Sequence, residues 1–300
     1  MTSSPSSRIG PLRRLTSVVV PVALGMVFAI AGTDQAGAAA APVGLGTASS
    51  FAVLAGETVT NTGPSTVGAS LGVSPGTAVT GFPPGLVSGG SIHSADGVAA
   101  QAKSDLTTAY NDAAGRATTV TVSADLGGTT LVPGVYTGGA LSLTGTVTLD
   151  GQSDPNSVFV FKAASTLITA SASRVALING ASACNVFWQV TSSATLGTNS
   201  VFVGTVLALT SIAAATGASI NGRLLARNGA VTLDSNTFTS QACAAGTTAT
   251  TTPGGTPTTS PRIPATGTTS QWTSALALIL ASLGVLMVVA VRRSPRRLDS

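Results

Sequence analysis

Residues 200–240 read SVFVGTVLALTSIAAATGASINGRLLARNGAVTLDSNTFTS, and the segment repeats itself at an interval of 18 residues. Gly204 and Gly222 are separated by this interval. Three large apolar residues share it: Phe202, Ile220 and Phe238. A fixed repeat of about 20 residues without a helix in each unit is typical of a solenoid. The repeat therefore predicts stacked coils, with the three apolar side chains inside and the two glycines at a corner.

The rest of the body supports short strands as the building units of these coils. In ALSLTGTVTLDG (140–151), leucine and valine alternate with serine and threonine, which is the period of a strand with one buried face. At about 3.3 Å per residue, 18 residues make three short sides joined by corners. We therefore predict a mainly β protein, a three-sided parallel β-helix.

One segment has a helical period instead. In SADGVAAQAKSDLTTAYNDAAG (94–115), small and apolar residues recur on one face. Ser94 is the predicted N-cap, and Gly115 can end the helix. The face is rich in alanine, so we expect this long helix to pack closely alongside the sheets.

The charge of the chain lies at its two ends. The formal net charge is +4 and 8% of the 300 residues are charged. Residues 42–262 hold seven lysines and arginines against eight acidic residues, so the body is almost neutral. This distribution gives no support to a nucleic-acid-binding surface, and we expect no nucleic-acid partner.

The first residues are typical of export. Basic residues precede the apolar run LTSVVVPVALGMVFAIAG, and the small-residue segment AGAAAAP follows it. We predict a secretory signal peptide over 1–41, with a retained membrane anchor as the alternative. The predicted body domain then covers 42–243.

The last residues are typical of surface attachment. A linker rich in threonine and proline (244–262) precedes IPATG (263–267), an apolar stretch (272–291) and the basic tail RRSPRR. The apolar stretch is long enough for a transmembrane helix with its basic end inside.

The order of pentapeptide, apolar helix and basic tail over 263–300 resembles the sortase sorting signal of Gram-positive bacteria. Its pattern is Leu-Pro-x-Thr-Gly; Pro264, Thr266 and Gly267 match, Ala265 is the variable position, and Ile263 replaces leucine. The resemblance implies cleavage after Thr266 and attachment of that residue to peptidoglycan. A plain single-pass membrane anchor is the alternative, and both place the body outside the cell.

Two cysteines, Cys184 and Cys243, are present in the whole chain. In an exported protein a pair of cysteines favours a disulfide, which would fasten the last coils to the middle of the domain. Two free buried thiols are the alternative.

Six segments between residues 45 and 243 resemble the microbial ice-binding-protein-like family. They are LGTASSFAVLAGETVTNTG (45–63), LGVSPGTAVTGFPPG (71–85), SADLGGTTLVPGVYT (123–137), SDPNSVFVF (153–161), INGASACNVFWQV (178–190) and NGRLLARNGAVTLDSNT (221–237). The resemblance implies a discontinuous, right-handed β-helix with one long helix alongside. It also implies that N-terminal strands complete the coils built by the C-terminal half.

Characterised members of that family bind ice through a flat face on which Thr-Ala/Gly-x-Thr/Asn is common. The nearest matches here are TLGT (195–198), TGAS (216–219) and TLDS (232–235). We therefore expect an ice-binding face, centred on the coil with Thr216, made of Thr195, Thr198, Thr216, Ser219, Thr232 and Ser235. Thr198 and Thr216 share the 18-residue interval, but the next step falls on Asp234, so the face either ends there or shifts by one residue to Ser235. The alternative function is a surface scaffold or adhesin of the same fold without affinity for ice.

Catalysis has little support in the residues. The acidic residues Asp125, Asp150, Asp154 and Asp234 are scattered, and His93 is the only histidine and precedes the helix. Arg174, Arg223 and Arg227 could bind acidic glycans, or could pair with nearby carboxylates and carbonyls. Trp188 lies in the apolar strand NVFWQV and is expected in the core. We therefore predict no enzymatic activity, no metal site and no cofactor.

Overall fold

The structure is a computed structural model that describes residues 40–239 and Cys243. The predicted signal peptide up to residue 39, the linker, the pentapeptide 263–267 and the apolar stretch 272–291 lie outside the described residues. Within the described part of the chain, no helix has the length and apolarity needed to cross a membrane.

Short parallel strands are the main regular structure of the described chain. In chain order they are β1 Phe51–Ala55, β2 Thr58–Thr62, β3 Thr66–Val67, β4 Ser70–Val73, β5 Ala78–Thr80, β6 Leu86–Val87, β7 Ile92–Ser94, β8 Val120–Thr121, β9 Thr130–Leu131, β10 Gly134–Gly138, β11 Leu141–Leu143, β12 Thr146–Asp150, β13 Phe159–Ala163, β14 Leu167–Thr169, β15 Arg174–Ile178, β16 Val186–Val190, β17 Ala194–Leu196, β18 Val201–Ala208, β19 Ile212–Ala214, β20 Ser219–Ala226, β21 Val231–Asp234 and β22 Thr237–Thr239. One α-helix, α1, spans Gly97–Gly115, and two short 3₁₀ turns lie at Gly46–Ser50 and Ala183–Asn185. The predicted stack of parallel strands with one long helix is confirmed.

The strands form three sides of a solenoid. One side is a separate sheet of seven strands in the order β11-β14-β17-β19-β21-β2-β5, called here the seven-strand sheet. The other two sides belong to one fifteen-stranded sheet, because β18 and β20 are long enough to run along both. These two strands bend at Gly204 and Gly222, which are paired with each other and have positive φ angles of 109° and 151°. The predicted corner glycines are therefore confirmed.

The N-terminal segment completes the stack. Strand β1 pairs with β20, β2 pairs with β21 and β3 pairs with β22, so residues 51–67 follow the last C-terminal coil as its next neighbour. This is the strand order that the family resemblance implied. Two distant parts of the chain thus share each sheet.

The interior is filled by one large side chain per coil. Phe202, Ile220 and Phe238 are in register and buried, as predicted from the 18-residue interval. Phe202 also packs against Trp188, which stacks on Phe161 to form an aromatic stack. The rings of Phe161 and Trp188 lie nearly parallel, with centroids 4.0 Å apart. Trp188 is 1% exposed, which confirms its place in the core.

The helix covers one side of the fifteen-stranded sheet. Ala102, Leu106 and Ala109 are fully buried in an apolar cluster that includes Phe187 and Leu207 of the sheet. Since two of the three helix residues are alanines, the helix backbone can approach the strands closely. The side of the fifteen-stranded sheet that carries β16 and the C-terminal halves of β18 and β20 is therefore closed to solvent-borne ligands.

The predicted N-cap of the helix is wrong by two residues. Asp96, not Ser94, is the N-cap: its carboxylate accepts a hydrogen bond of 2.8 Å from the Ala99 N–H. The Ser94 hydroxyl instead donates to the Thr77 carbonyl, which fastens β7 to the segment between β4 and β5. His93 contacts the other carboxylate oxygen of Asp96 at 2.7 Å and is therefore the neighbour of the cap that its position suggested. The helix ends at Gly115 as expected.

The predicted disulfide is confirmed. Cys184, which precedes β16, is joined to Cys243, which follows β22. The bond closes over a sequence separation of 59 residues and lies at the corner between the two sides of the fifteen-stranded sheet.

Candidate functional site

The outward side of the seven-strand sheet presents one row of side chains in continuous register. Each strand contributes the residue between two inward-pointing neighbours, so the row has one side chain per coil. From one end to the other the central row is Ser142, Ile168, Thr195, Ala213, Thr232, Thr60 and Thr80. With neighbouring strands about 4.8 Å apart, the row is about 29 Å long.

Hydroxyls and methyls dominate this surface. Thr195, Thr232, Thr60 and Thr80 are all exposed. The next residues along two of these strands, Leu196 and Leu233, are buried and anchor the strands to the core. Threonine has a stiff first torsion, so each exposed side chain keeps its hydroxyl and methyl in a nearly fixed direction.

A single ionisable residue lies in these seven strands. Asp234 ends β21 at the edge of the sheet, and both of its carboxylate oxygens accept hydrogen bonds. The Thr216 hydroxyl donates to one oxygen at 2.5 Å and the Ser235 hydroxyl to the other at 3.1 Å. The carboxylate is thus turned toward its neighbours along the edge, and the central row is free of charge.

The edge of the sheet is an ordered corner. At this corner Ala172, Asn199, Gly217 and Ser235 of successive coils all adopt left-handed backbone conformations, with φ between 53° and 72°. The N–H of each donates to the carbonyl that precedes the corner in the next coil: those of Thr198, Thr216, Asp234 and Thr62 respectively. Because each corner hydrogen-bonds to the next, the coils cannot slip relative to one another.

The residues just before this corner show whether Asp234 or Ser235 follows Thr216 in the next coil. Thr198, Thr216, Asp234 and Thr62 hold the same position in four successive coils. The position after Thr216 is therefore Asp234, and there is no shift of one residue to Ser235. Ser235 is the left-handed corner residue itself, so it lies beside the row and not in it.

The six residues predicted as one face are distributed over four settings. Thr195 and Thr232 lie together in the central row, each in register with Ala213 between them. Thr198 and Thr216 are in the row at the edge, and Ser235 is at the corner. Ser219 begins β20 on the fifteen-stranded sheet, where it pairs with Val201 and Thr237. One plane can therefore include Thr195 and Thr232 together with the edge row. Ser219 lies on the other sheet and does not belong to that plane.

Sequence reasoning missed three hydroxyl residues of the central row. Thr60 and Thr80 come from the N-terminal strands β2 and β5, and Ser142 comes from the first strand at the other end. No interval of 18 residues connects them with Thr232. The alternating pattern of TVTNT (58–62) is the one local signal that could have marked Thr60 as outward-facing.

The second exposed side of the solenoid is less uniform. Its corresponding row is Thr146, Arg174, Val201, Ser219, Thr237, Thr66 and Leu86. Arg174 is exposed, and Leu86 is an exposed apolar residue. A charged side chain thus interrupts the hydroxyls on this side, whereas the central row of the seven-strand sheet, which also contains the exposed Ile168, carries no charge.

The scattered acids act as hydrogen-bond acceptors at turns. Asp125 accepts from the Thr144 hydroxyl and from the N–H groups of Thr144 and Gly127, and these bonds, the hydroxyl first, hold the pKa of Asp125 below its usual value. Asp150 accepts from the Gln152 N–H and from Asn179, and Asp154 from the Asn156 N–H. Within residues 40–239 and Cys243, no three histidine, cysteine or acidic side chains are grouped as metal ligands.

Comparison with known proteins shows the family of this chain. The model of the family described as Ice-binding-like matches residues 53–239. The chain belongs to the ice-binding-like family. The match covers every strand that forms the seven-strand sheet.

Relatives within the ice-binding-like family are similar over most of the described chain. An ice-binding protein of Nostoc sp. (strain HG1) is 55% identical over 202 residues, which cover 66% of this chain and 74% of that protein. An ice-binding protein of Colwellia sp. is 39% identical over 238 residues, covering 74% of this chain and 91% of that one. The crystal structure of an ice-binding protein from an Antarctic biological consortium has a TM-score of 0.66 and 50% identity, and covers 67% of this chain and 92% of that one.

Proposed function

We propose that this protein binds ice through the outward side of the seven-strand sheet. The observation that carries the proposal is the central row, in which seven side chains from seven coils stand in register over about 29 Å without a charge. The names of the relatives support the activity, and the geometry supports the face. Membership of the family alone would leave both exposed sides as candidates.

The physical argument rests on order in the adjacent water. Exposed threonine hydroxyls at a repeat of about 4.8 Å hydrogen-bond water at regular intervals, and the methyl groups between them restrict the orientations that this water can take. A rigid backbone keeps the pattern fixed, since every coil is hydrogen-bonded to the next. Water held in this way is close to the arrangement in ice and can join the crystal surface.

Ionic groups would oppose this fit, because a charge orders water around itself in a different geometry. The edge arrangement of Asp234 therefore matters to the proposal. Its two carboxylate oxygens accept hydrogen bonds from Thr216 and Ser235, so the charge is directed along the edge and away from the central row. Ice binding sums many weak contacts, so one disturbed position near the centre should reduce it strongly.

The test compares two substitutions in one coil. Thr232→Tyr places a bulky ring in the central row, and Thr237→Tyr places the same ring on the second exposed side, where Thr237 is also exposed. Residues 42–245 include all the strands, the helix and both cysteines, and would be used for thermal hysteresis and for incorporation into a growing ice hemisphere. We expect Thr232→Tyr to lose most of its thermal hysteresis and to be excluded from the ice hemisphere. The Thr237 variant should behave as the wild type.

Melting temperatures of both variants provide the control for folding. If Thr237→Tyr removes the activity and Thr232→Tyr does not, the face is the other side. If the wild type gives no hysteresis, no ice shaping and no incorporation, the scaffold or adhesin function replaces ice binding.

We also propose that the protein acts at the cell surface, attached through its C-terminal segment. The support is the order of linker, IPATG (263–267), apolar stretch and arginines. In the sortase reaction the bond after Thr266 is cleaved and Thr266 is joined to peptidoglycan. We expect Thr266→Ala to move the protein from the wall-bound fraction to a detergent-extractable one. A variant that is still released only by wall digestion would contradict covalent sorting.

A further inference from the structure

A cavity lies at the corner opposite the seven-strand sheet, where the two sides of the fifteen-stranded sheet meet. Its volume is about 310 Å³. The segment before β1, the turns after β3 and β6, the bend of β20 and the disulfide all border it. The residues on which the argument depends are Ser50, Gly68, Gly89, Gly222, Arg223 and Cys243.

Among the described residues that line this cavity, Arg223 is the charged one. Its side chain is buried, with 8% of the residue exposed, and burial lowers the pKa of its guanidinium from the usual value. Its Nε donates to the Ser49 carbonyl at 3.0 Å, and one Nη lies 3.7 Å from the Cys243 sulfur. Among residues 40–239 and Cys243, no carboxylate forms an ion pair with Arg223 and no acceptor takes a hydrogen bond from its second Nη.

A buried cation without an acidic partner is costly, and such groups are normally paired. The guanidinium has a planar fork of N–H groups that matches the two oxygens of a carboxylate, a phosphate or a sulfate. At Arg223 the Nε donates to the Ser49 carbonyl and one Nη lies near the Cys243 sulfur, while the other Nη has no acceptor among the described residues. The described residues that line the cavity include no acidic side chain.

The floor of the cavity consists largely of backbone. At Gly89 a Cβ atom would come within 1.9 Å of the Gly68 carbonyl oxygen, so close stacking of the turns requires glycine there. At Gly222 a Cβ atom would come within 2.0 Å of the Gly204 carbonyl oxygen. Ser50, an exposed residue, also lines the cavity.

We propose that this cavity binds a small oxyanion, with Arg223 as its charged donor. The shared chemistry is a group with two or more negatively charged oxygens, either an inorganic ion or the acid group of a sugar. The site is separate from the seven-strand sheet, so it requires no ice binding. Because Cys243 borders it, the anion would also join the N-terminal coil, the bend of β20 and the disulfide.

The test is an NMR titration of the full chain with sodium sulfate and, separately, with sodium glucuronate at constant ionic strength. We expect saturable shifts confined to the backbone amides of the cavity: Ser50, Gly68, Gly89 and Gly222. Tighter binding of glucuronate than of sulfate would identify a sugar acid as the source of the oxyanion, and the reverse order an inorganic ion. Arg223→Met should remove the saturable shifts. Arg174→Met, which removes an exposed arginine on another part of the surface, should leave them unchanged.

Arg223→Lys keeps the charge but not the fork, and should weaken binding about tenfold, the effect of losing one charge-assisted hydrogen bond. If Arg223→Met does not fold, the affinity of Arg223→Lys for the two anions tests the proposal instead. Shifts that rise linearly with salt across the whole protein would overturn the proposal, as would saturable shifts that persist unchanged in a folded Arg223 variant. Thermal hysteresis of Arg223→Lys should equal that of the wild type, which separates this site from the ice-binding proposal.

Discussion

Replacement of Trp188 by alanine should be among the most damaging single changes to this fold. The indole is 1% exposed and lies between Phe161 and Phe202 in the aromatic stack that passes through three coils. Its Nε1 donates to the Val203 carbonyl at 3.0 Å. The substitution therefore removes packing on both faces of the ring and leaves a buried carbonyl without this donor.

The expected loss of stability can be worked out from these contacts. Truncation of a buried tryptophan to alanine costs about 4 kcal/mol of unfolding free energy, through lost transfer energy and the cavity that is left. For a domain of this size each kcal/mol lowers the melting temperature by about 3 °C, so the fall should be about 12 °C. Trp188→Phe keeps a ring between its neighbours but loses the hydrogen bond, so about 1.5 kcal/mol and about 5 °C are expected.

Guanidinium denaturation followed by far-UV circular dichroism is the appropriate assay, because both substitutions remove the indole that a fluorescence experiment would follow. The two variants should differ by more than 2 kcal/mol, in the order stated. If Trp188→Ala lowers the free energy of unfolding by less than about 1 kcal/mol, the argument is refuted, because the aromatic stack would then contribute little to the stability of the central coils.

Two further predictions concern the disulfide and Lys103. Replacing both Cys184 and Cys243 by serine should lower the unfolding free energy by about 4 kcal/mol, because the loop-entropy model gives this for a separation of 59 residues; an unchanged melting temperature would contradict it. Burial, with a smaller effect of Arg227, lowers the pKa of Lys103 from 10.5 to about 8, so between these values the unfolded chain binds more protons than the folded one. The free energy of unfolding should therefore increase as the pH rises from about 8 to 10.5, and should decrease again as the pH falls through this range. The melting temperature of Lys103→Met should not show this increase over the same pH range. If the wild type and Lys103→Met have the same pH dependence, the prediction is wrong.

Much of the interior could be predicted from the sequence because it depends on local periods. The 18-residue interval places Phe202, Ile220 and Phe238 inside, since residues one coil apart must lie above one another. The apolar context of Trp188 was enough to assign it to the core. The alanine-rich face of the helix was recognised for the same reason, because its period of 3.6 residues is contained within one segment.

Helix capping shows the limit of local reasoning. Ser94 and Asp96 are both good N-cap residues, and their sequence positions do not choose between them. In the folded chain the Ser94 hydroxyl donates to the Thr77 carbonyl, which belongs to another part of the chain, and Asp96 caps the helix. A competing long-range contact decided the outcome.

The sequence by itself thus determined the type of coil, the side-chain directions within the alternating strands and the residues that fill the interior. The tertiary structure decided which coils are neighbours, and hence which outward residues share a face. Thr60 lies beside Thr232 because β2 pairs with β21, although the two residues are far apart in the chain. Alternation makes each of them point outward, but only the hydrogen bonds between distant strands place them in one row.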